Sequence, residues 1–461
     1  MKHFQNVTRI GSALLTAFGI VIVLSLVGCG SGSSSGGGSG TPTPFPTGTG
    51  RLVEQPGWRV NTPTYQQLPK KWTFLVFMNG ANDLEEFGSL NMNQMEQFGS
   101  TDQVNLVVQF KRFAGRFDRS NGDWGDTRRF YVTKDNNTSV VSSAPLSQHD
   151  NKDMGDWQSL REFIQWGVET YPAEKYCLVI WNHGAGWRKV NTNQAATKRG
   201  VSYDDTTNNH IDTIELPQAI DLAPFLGNNR KWDVLAFDAS LMQMIEVAHE
   251  IRDEALYIVG SEESPPGEGY PYQLFMDDLT GNPNISPRDF AIKMAESTIL
   301  GYGQDSNITH SVLDTSRVAA VTAAMNELGG SLLAVKDTYR DQIVFARQNA
   351  ENYDYPYYRD ILDFISLLTT PLPGATQPPV PDMAVQSAAN RVRSAVQAAV
   401  IFNVNGSFHP RSQGLSVFLP SPQQYNSLDI DQANGFGQRY GALTYAKDAP
   451  LWQSFLVNGP R

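Results

Sequence analysis

Six short apolar runs, each four to seven residues long, limit the folds open to this chain: WTFLVFM (72–78), VNLVVQF (104–110), YCLVIW (176–181), WDVLAF (232–237), LYIVG (256–260) and THSVLD (309–314). They are apolar on both faces instead of alternating, the pattern of strands covered on both sides. Helical patterns separate them: 84–98, 156–171, 215–226, 241–251 and 286–300. Asp156 stands where a helix cap is needed. Strand–helix alternation predicts an α/β fold, a mainly parallel sheet of about six strands with helices on both faces.

Beyond residue 320 the pattern changes. Two long helical stretches, the second reading MAVQSAANRVRSAVQAAVIFNV, surround a Pro-rich loop at 369–381. A strand-like GLSVFLP (414–420) and a final LWQSFL (451–456) follow. The expectation is a domain over 70–320 and a mostly helical C-terminal region over 321–461 packed on it. The 461 residues are 40% hydrophobic, enough for a large core.

The first residues read as a targeting segment. Lys2 and Arg9 precede an apolar stretch, residues 10–27, that ends in LVGC. Residues 1–28 are expected to be a bacterial lipoprotein signal peptide, with Cys29 lipidated. The Gly/Ser/Thr/Pro-rich segment that follows, within 29–69, buries no apolar area and serves as a tether. The protein is then exported and held on the membrane by lipid. Gly30 supplies no inner-membrane retention signal, so the outer membrane is expected. Cys177 is the only other cysteine; inside an apolar run, it is expected to be a core residue. The formal charge of −11, with no basic stripe, argues against nucleic acid as a partner.

Two strand ends carry reactive residue types. YCLVIW runs into NHGAGW, which places His183 in a glycine-bearing turn, and WDVLAF runs into DAS, ending at Ser240. Active groups in open α/β sheets lie beyond the carboxyl ends of strands, so His183 and Ser240 are expected to open into one crevice. A histidine some 50 residues upstream of a nucleophile is the order of caspase-like cysteine peptidases.

LVIWNHGAGW, GVSYDD, WDVLAFDASLM, SEESPPGEGYPY, GLSVFLP and the terminal W–FL resemble, in this order, the clostripain family of caspase-like cysteine peptidases. The resemblance runs from Lys71 to Leu456 and implies a caspase-like fold. It implies that His183 is the catalytic base and that Ser240 stands where the peptidases carry a nucleophilic Cys. Gly184 would supply an oxyanion-hole N–H together with that of residue 240. Asp238 would bind the Arg or Lys of a substrate, a charge-assisted contact. Lys198 and Arg199 are candidate processing positions.

Ser240 is the departure from the pattern. A thiol, with a pKa of about 8.5, is readily kept as thiolate by a nearby imidazole. A serine hydroxyl needs a base in contact and a third group to orient that base, and no such carboxylate is evident beside His183. The reading is therefore a pseudopeptidase that binds basic peptide or protein segments. Two alternatives stand beside it: an active endopeptidase cleaving after Arg or Lys, and a structural envelope lipoprotein with a vestigial crevice. Ser240 as a plain helix cap is the bland reading of that residue. No cofactor is expected, apart from calcium at Asp204–Asp205 as a weaker candidate. Glu262, Glu263 and Glu268 would border the substrate pocket.

Overall fold

The computed structural model describes residues 69–187, 200–227, 229–371, 377–430 and 440–461. All of them belong to one compact unit, Thr47–Arg461. The signal segment, Cys29, most of the tether, Lys198 and Arg199 lie outside the described residues.

Thirteen strands are described: β1 (Lys70–Asn79), β2 (Val104–Lys111), β3 (Thr127–Tyr131), β4 (Pro145–His149), β5 (Ala173–Trp181), β6 (Val201–Asp204), β7 (Asn209–Ile211), β8 (Trp232–Asp238), β9 (Ala255–Ser261), β10 (Thr309–Asp314), β11 (Tyr358–Asp360), β12 (Val400–Asn405) and β13 (Ser416–Phe418). Nine form one sheet in the order β12-β10-β9-β8-β5-β1-β2-β3-β4. The five central strands, from β9 to β2, run parallel, and antiparallel strands extend both edges.

All six apolar runs are strands of this sheet, which is wider than the six expected. The added strands are those with weak local signals. β3 (TRRFY) and β4 (PLSQH) are polar edge pieces. β12 (VIFNVN) follows the helix Met383–Ala399 with no glycine or proline between, so it reads as more helix. It pairs with β10, so the segment after residue 320 supplies an edge of the main sheet.

The core has two layers, one on each face, because alternate strand residues point to opposite sides. Leu75, Phe77, Leu178, Ile180, Leu235 and Phe237 face the helices Trp157–Thr170, Ile245–Ile251 and Val318–Val335. Phe74, Val76, Cys177, Val179, Val234 and Ala236 face Glu85–Glu96, Tyr272–Gly281 and Pro287–Tyr302. Asp156 caps its helix as expected, accepting the Gln158 N–H at 2.9 Å.

Two helical expectations change. The 215–226 pattern divides into Leu216–Ile220 and Ala223–Leu226, each with a proline in its first turn. The helix expected over 241–251 begins only at Ile245.

Candidate active site

Parallel strands deliver their carboxyl ends to one edge of the sheet, and four of them build the site. β5 and β8 are neighbours, with Trp181 level with Asp238. His183 and Ser240 each stand two residues beyond that pair, on neighbouring strand ends. Gly184 lies against the serine turn: a Cβ on it would be 2.4 Å from the Ser240 carbonyl oxygen and 3.2 Å from the Ala239 Cβ. Only a glycine admits that approach.

Ser240 does not cap a helix. The helix starts five residues later, with Met244 at its cap position and no side-chain cap. Between them Leu241, buried, has φ +65°, a strained conformation for a bulky residue. The strained turn holds Ser240 half-buried at the mouth of the sheet. Its hydroxyl makes no hydrogen bond among the described residues, and neither its N–H nor that of Gly184 donates one there. Two unengaged backbone donors in adjoining turns are what an oxyanion would need.

His183 is held from the other side. Its Nε2 lies 2.7 Å from Oδ1 of Asp83, in the loop after β1. A carboxylate that the sequence did not reveal is therefore in contact with this imidazole. It was missed because the partner lies 100 residues away, and no local pattern encodes such a contact. The only hint was a run of polar and small residues, NGAND, at the end of an apolar strand. Buried amides tie the loops together. Asn182 donates to the Asn79 carbonyl and accepts from the Tyr203 N–H at 2.7 Å, and Asn82 donates to the Tyr203 carbonyl at 2.8 Å.

Asp238 closes β8 and is only 6% exposed. Its Oδ1 accepts the Tyr270 N–H and its Oδ2 the Tyr272 hydroxyl, both at 3.0 Å. Gly269, at φ +68°, lies so close that a Cβ there would come within 2.4 Å of Oδ1. Burial pushes the carboxyl up to about 7, and the two hydrogen bonds only partly offset this. No ion pair reaches Asp238 among the described residues. The GEGYPY loop thus clasps an acidic group that has no cation among the described residues.

The other acidic residues are committed elsewhere. Glu262 is fully buried, bonded to the Gly414 N–H at 2.9 Å. Burial, then Asp360 beside it, pushes it well up. Glu263 pairs with His409 at 3.2 Å, and of the three only Glu268 is exposed. Asp204 has both oxygens engaged, Oδ2 by Lys111 Nζ at 2.7 Å and the Met154 N–H at 2.9 Å, and Oδ1 by the Thr206 N–H at 3.0 Å. Cys177 lies buried in the sheet, its thiol pushed well up by burial.

The architecture and the two strand-end turns define a class, the caspase-like α/β proteins whose histidine and nucleophile positions sit on adjacent parallel strands. Comparison with known proteins agrees. The profile of the clostripain family, peptidase C11, matches residues 76–457. The chain belongs to the clostripain family. Clostripain of Hathewaya histolytica is 27% identical over 251 residues, which are 50% of this chain and 46% of clostripain. The chain thus spans about half the length of the curated relative it matches. Two solved structures share the fold. A secreted C11 cysteine protease from Bacteroides thetaiotaomicron, bound to an irreversible peptide inhibitor, superposes with a TM-score of 0.58 at 20% identity, covering 82% of this chain and 99% of that one. An inactive zymogen C11 protease from Parabacteroides distasonis gives 0.59 at 19%, covering 84% and 99%.

Proposed function

We propose that this chain is an exported, lipid-anchored clostripain-family protein whose crevice binds Arg- or Lys-bearing peptide segments, and in which Ser240 leaves peptide hydrolysis impaired. One observation carries the binding reading: Asp238 is a buried carboxylate with no cation among the described residues, two residues from the nucleophile position. A buried charge without a partner is costly, and an entering guanidinium would supply the partner through a charge-assisted contact. The impairment follows from chemistry, since a hydroxyl is far less acidic than a thiol. Ser240 makes no hydrogen bond to His183 that would compensate.

The alternative, slow cleavage after Arg or Lys with Ser240 as nucleophile, is favoured by the Asp83–His183 contact and the unengaged N–H groups of Gly184 and Ser240. Fluorogenic Arg and Lys peptides decide between the two. The expected result is no turnover by the wild type, turnover in Ser240→Cys, and its loss when His183→Ala is added. Wild-type turnover that disappears in Ser240→Ala would establish the alternative. Absence of peptide binding in every form would leave a structural envelope protein.

Export is supported by the apolar stretch before Cys29 and by the secreted character of the Bacteroides relative. The outer membrane as its destination follows from Gly30 after Cys29. Fatty-acid labelling of the cells checks the anchor: incorporation is expected in the wild type and not in Cys29→Ala.

A further inference from the structure

We propose that Asp83 is a positioning residue: its carboxylate accepts the Nε2–H of His183 and so fixes the tautomer whose Nδ1 lone pair acts as the base of the crevice. The inference rests on the reading of His183 as that base. The contact is 2.7 Å between Nε2 and Oδ1. An ionised carboxylate only accepts hydrogen bonds, so Nε2 must be the donor. In a neutral imidazole the other nitrogen is then unprotonated. Nδ1 of His183 makes no hydrogen bond among the described residues, so its lone pair is available there.

The surrounding framework holds this pair in place. β5 lies between β1 and β8, so the Asp83 loop and the Ser240 turn flank His183 from opposite sides. Asn82, fully buried beside Asp83, donates to the Tyr203 carbonyl and accepts the Leu84 N–H at 3.0 Å. Asn182, beside His183, accepts the N–H of the same Tyr203. One β6 residue therefore registers both loops. The Glu85–Arg112 ion pair, 2.9 Å and wholly buried, anchors the helix that begins just after Asp83. The groups placed against the imidazole are Asp83 and the Tyr203 ring, its centroid 6.4 Å away. Of these, Asp83 is the group in contact with a ring nitrogen.

An orienting carboxylate matters more for a hydroxyl than for a thiol. A thiolate is nucleophilic once formed, whereas an alcohol must lose its proton to a correctly presented nitrogen during attack. Asp83 would hold Nδ1 in the accepting state and would stabilise the imidazolium once the proton has moved.

Two-bond proton–nitrogen spectra of the full chain with 15N-labelled histidine test this directly, His183 being assigned by the signals lost in His183→Gln. The wild type should show the Nε2–H tautomer at neutral to alkaline pH, and Asp83→Ala should shift it to a mixture. Asp83 is 63% exposed in its side chain, so this variant should keep the fold. A wild-type Nδ1–H tautomer, or a spectrum unchanged by Asp83→Ala, overturns the proposal. A second readout is alkylation of Ser240→Cys by iodoacetamide at pH 7, where adding Asp83→Ala should slow the rate on the order of tenfold. If Asp83→Ala leaves that rate unchanged while His183→Ala lowers it, Asp83 has no positioning role and the crevice stands. If His183→Ala has no effect while Asp83→Ala still shifts the tautomer, the reading of the crevice fails and the orienting contact remains.

Discussion

Gly184 and Ser240 meet so closely that a single methyl group would not fit between them: a Cβ on Gly184 would lie 2.4 Å from the Ser240 carbonyl oxygen. The opposing atom belongs to the backbone and cannot swing aside. The histidine turn and the nucleophile turn are therefore one packed unit, and the candidate oxyanion donors are set by that contact.

Gly184→Ala should push the two turns apart. Overpacking of this kind costs about 1–3 kcal/mol. The expected outcome is a lower thermal midpoint and, in the Ser240→Cys background, loss of reactivity toward Arg peptides. A variant with unchanged melting and unchanged reactivity would show that the turns yield without cost.

Binding of a basic ligand should depend on pH through Asp238. Its carboxyl is raised from 3.8 to about 7 in the unliganded fold, by burial first. A guanidinium needs the charged form, so below pH 7 binding must expel a proton. Affinity for an Arg peptide should then fall by up to about tenfold per pH unit below 7 and level off above it. Titration calorimetry between pH 5.5 and 8.5, in two buffers of different ionisation enthalpy, measures both the affinity and the proton released. Affinity independent of pH would remove Asp238 from the contact.

The same group should make unliganded stability fall as pH rises. Its folded pKa lies above its unfolded value, so its contribution is complete below about 3.8 and is lost as pH climbs to about 7. Glu246, raised to about 7 by burial, acts in the same direction. His310, lowered to about 3 by burial, opposes them only below its ordinary 6.5. Comparing Asp238→Asn with wild type isolates the first group. The variant should be more stable by about 1–4 kcal/mol at pH 8 and nearly equal at pH 4, while losing Arg-peptide binding. Urea unfolding at the two pH values checks this, and a variant less stable at pH 8 would contradict it.

Glu85→Ala should be severe. Arg112 is fully buried, and besides Glu85 it serves the Ser120 and Asp118 carbonyls, each at 2.8 Å. Removing one partner of a buried pair costs about 3–5 kcal/mol, and the Asp118 carboxylate, 3.0 Å from Arg112, keeps the loss near the lower figure. Amide exchange in residues 113–126 should rise with the loss of stability. An effect below 1 kcal/mol would mean that the loop is held by other contacts.

Much of this fold is legible locally. A strand covered on both faces is mostly apolar instead of alternating, and the six runs carry that signal, most weakly in THSVLD. The outer strands escape detection for other reasons: β4 is half-exposed and polar, β3 is short and carries two arginines, and β12 continues a helix without a breaking residue. His183, Asp238 and Ser240 stand out because reactive residue types at strand ends are few. Glu262 and Glu263 looked equally suited to the pocket, but their partners, Gly414 and His409, come from the C-terminal segment.

The sequence alone determined the layered α/β architecture and the strand ends that carry reactive residue types, because these depend on residue type and short-range periodicity. Only the tertiary structure decided that Asp83 reaches His183, that Asp238 is enclosed with no cation among the described residues, and that Ser240 tops a strained turn instead of capping a helix. Those outcomes depend on which strands lie side by side and on how deeply a carboxylate is buried, and neither is a property of neighbouring residues in the chain.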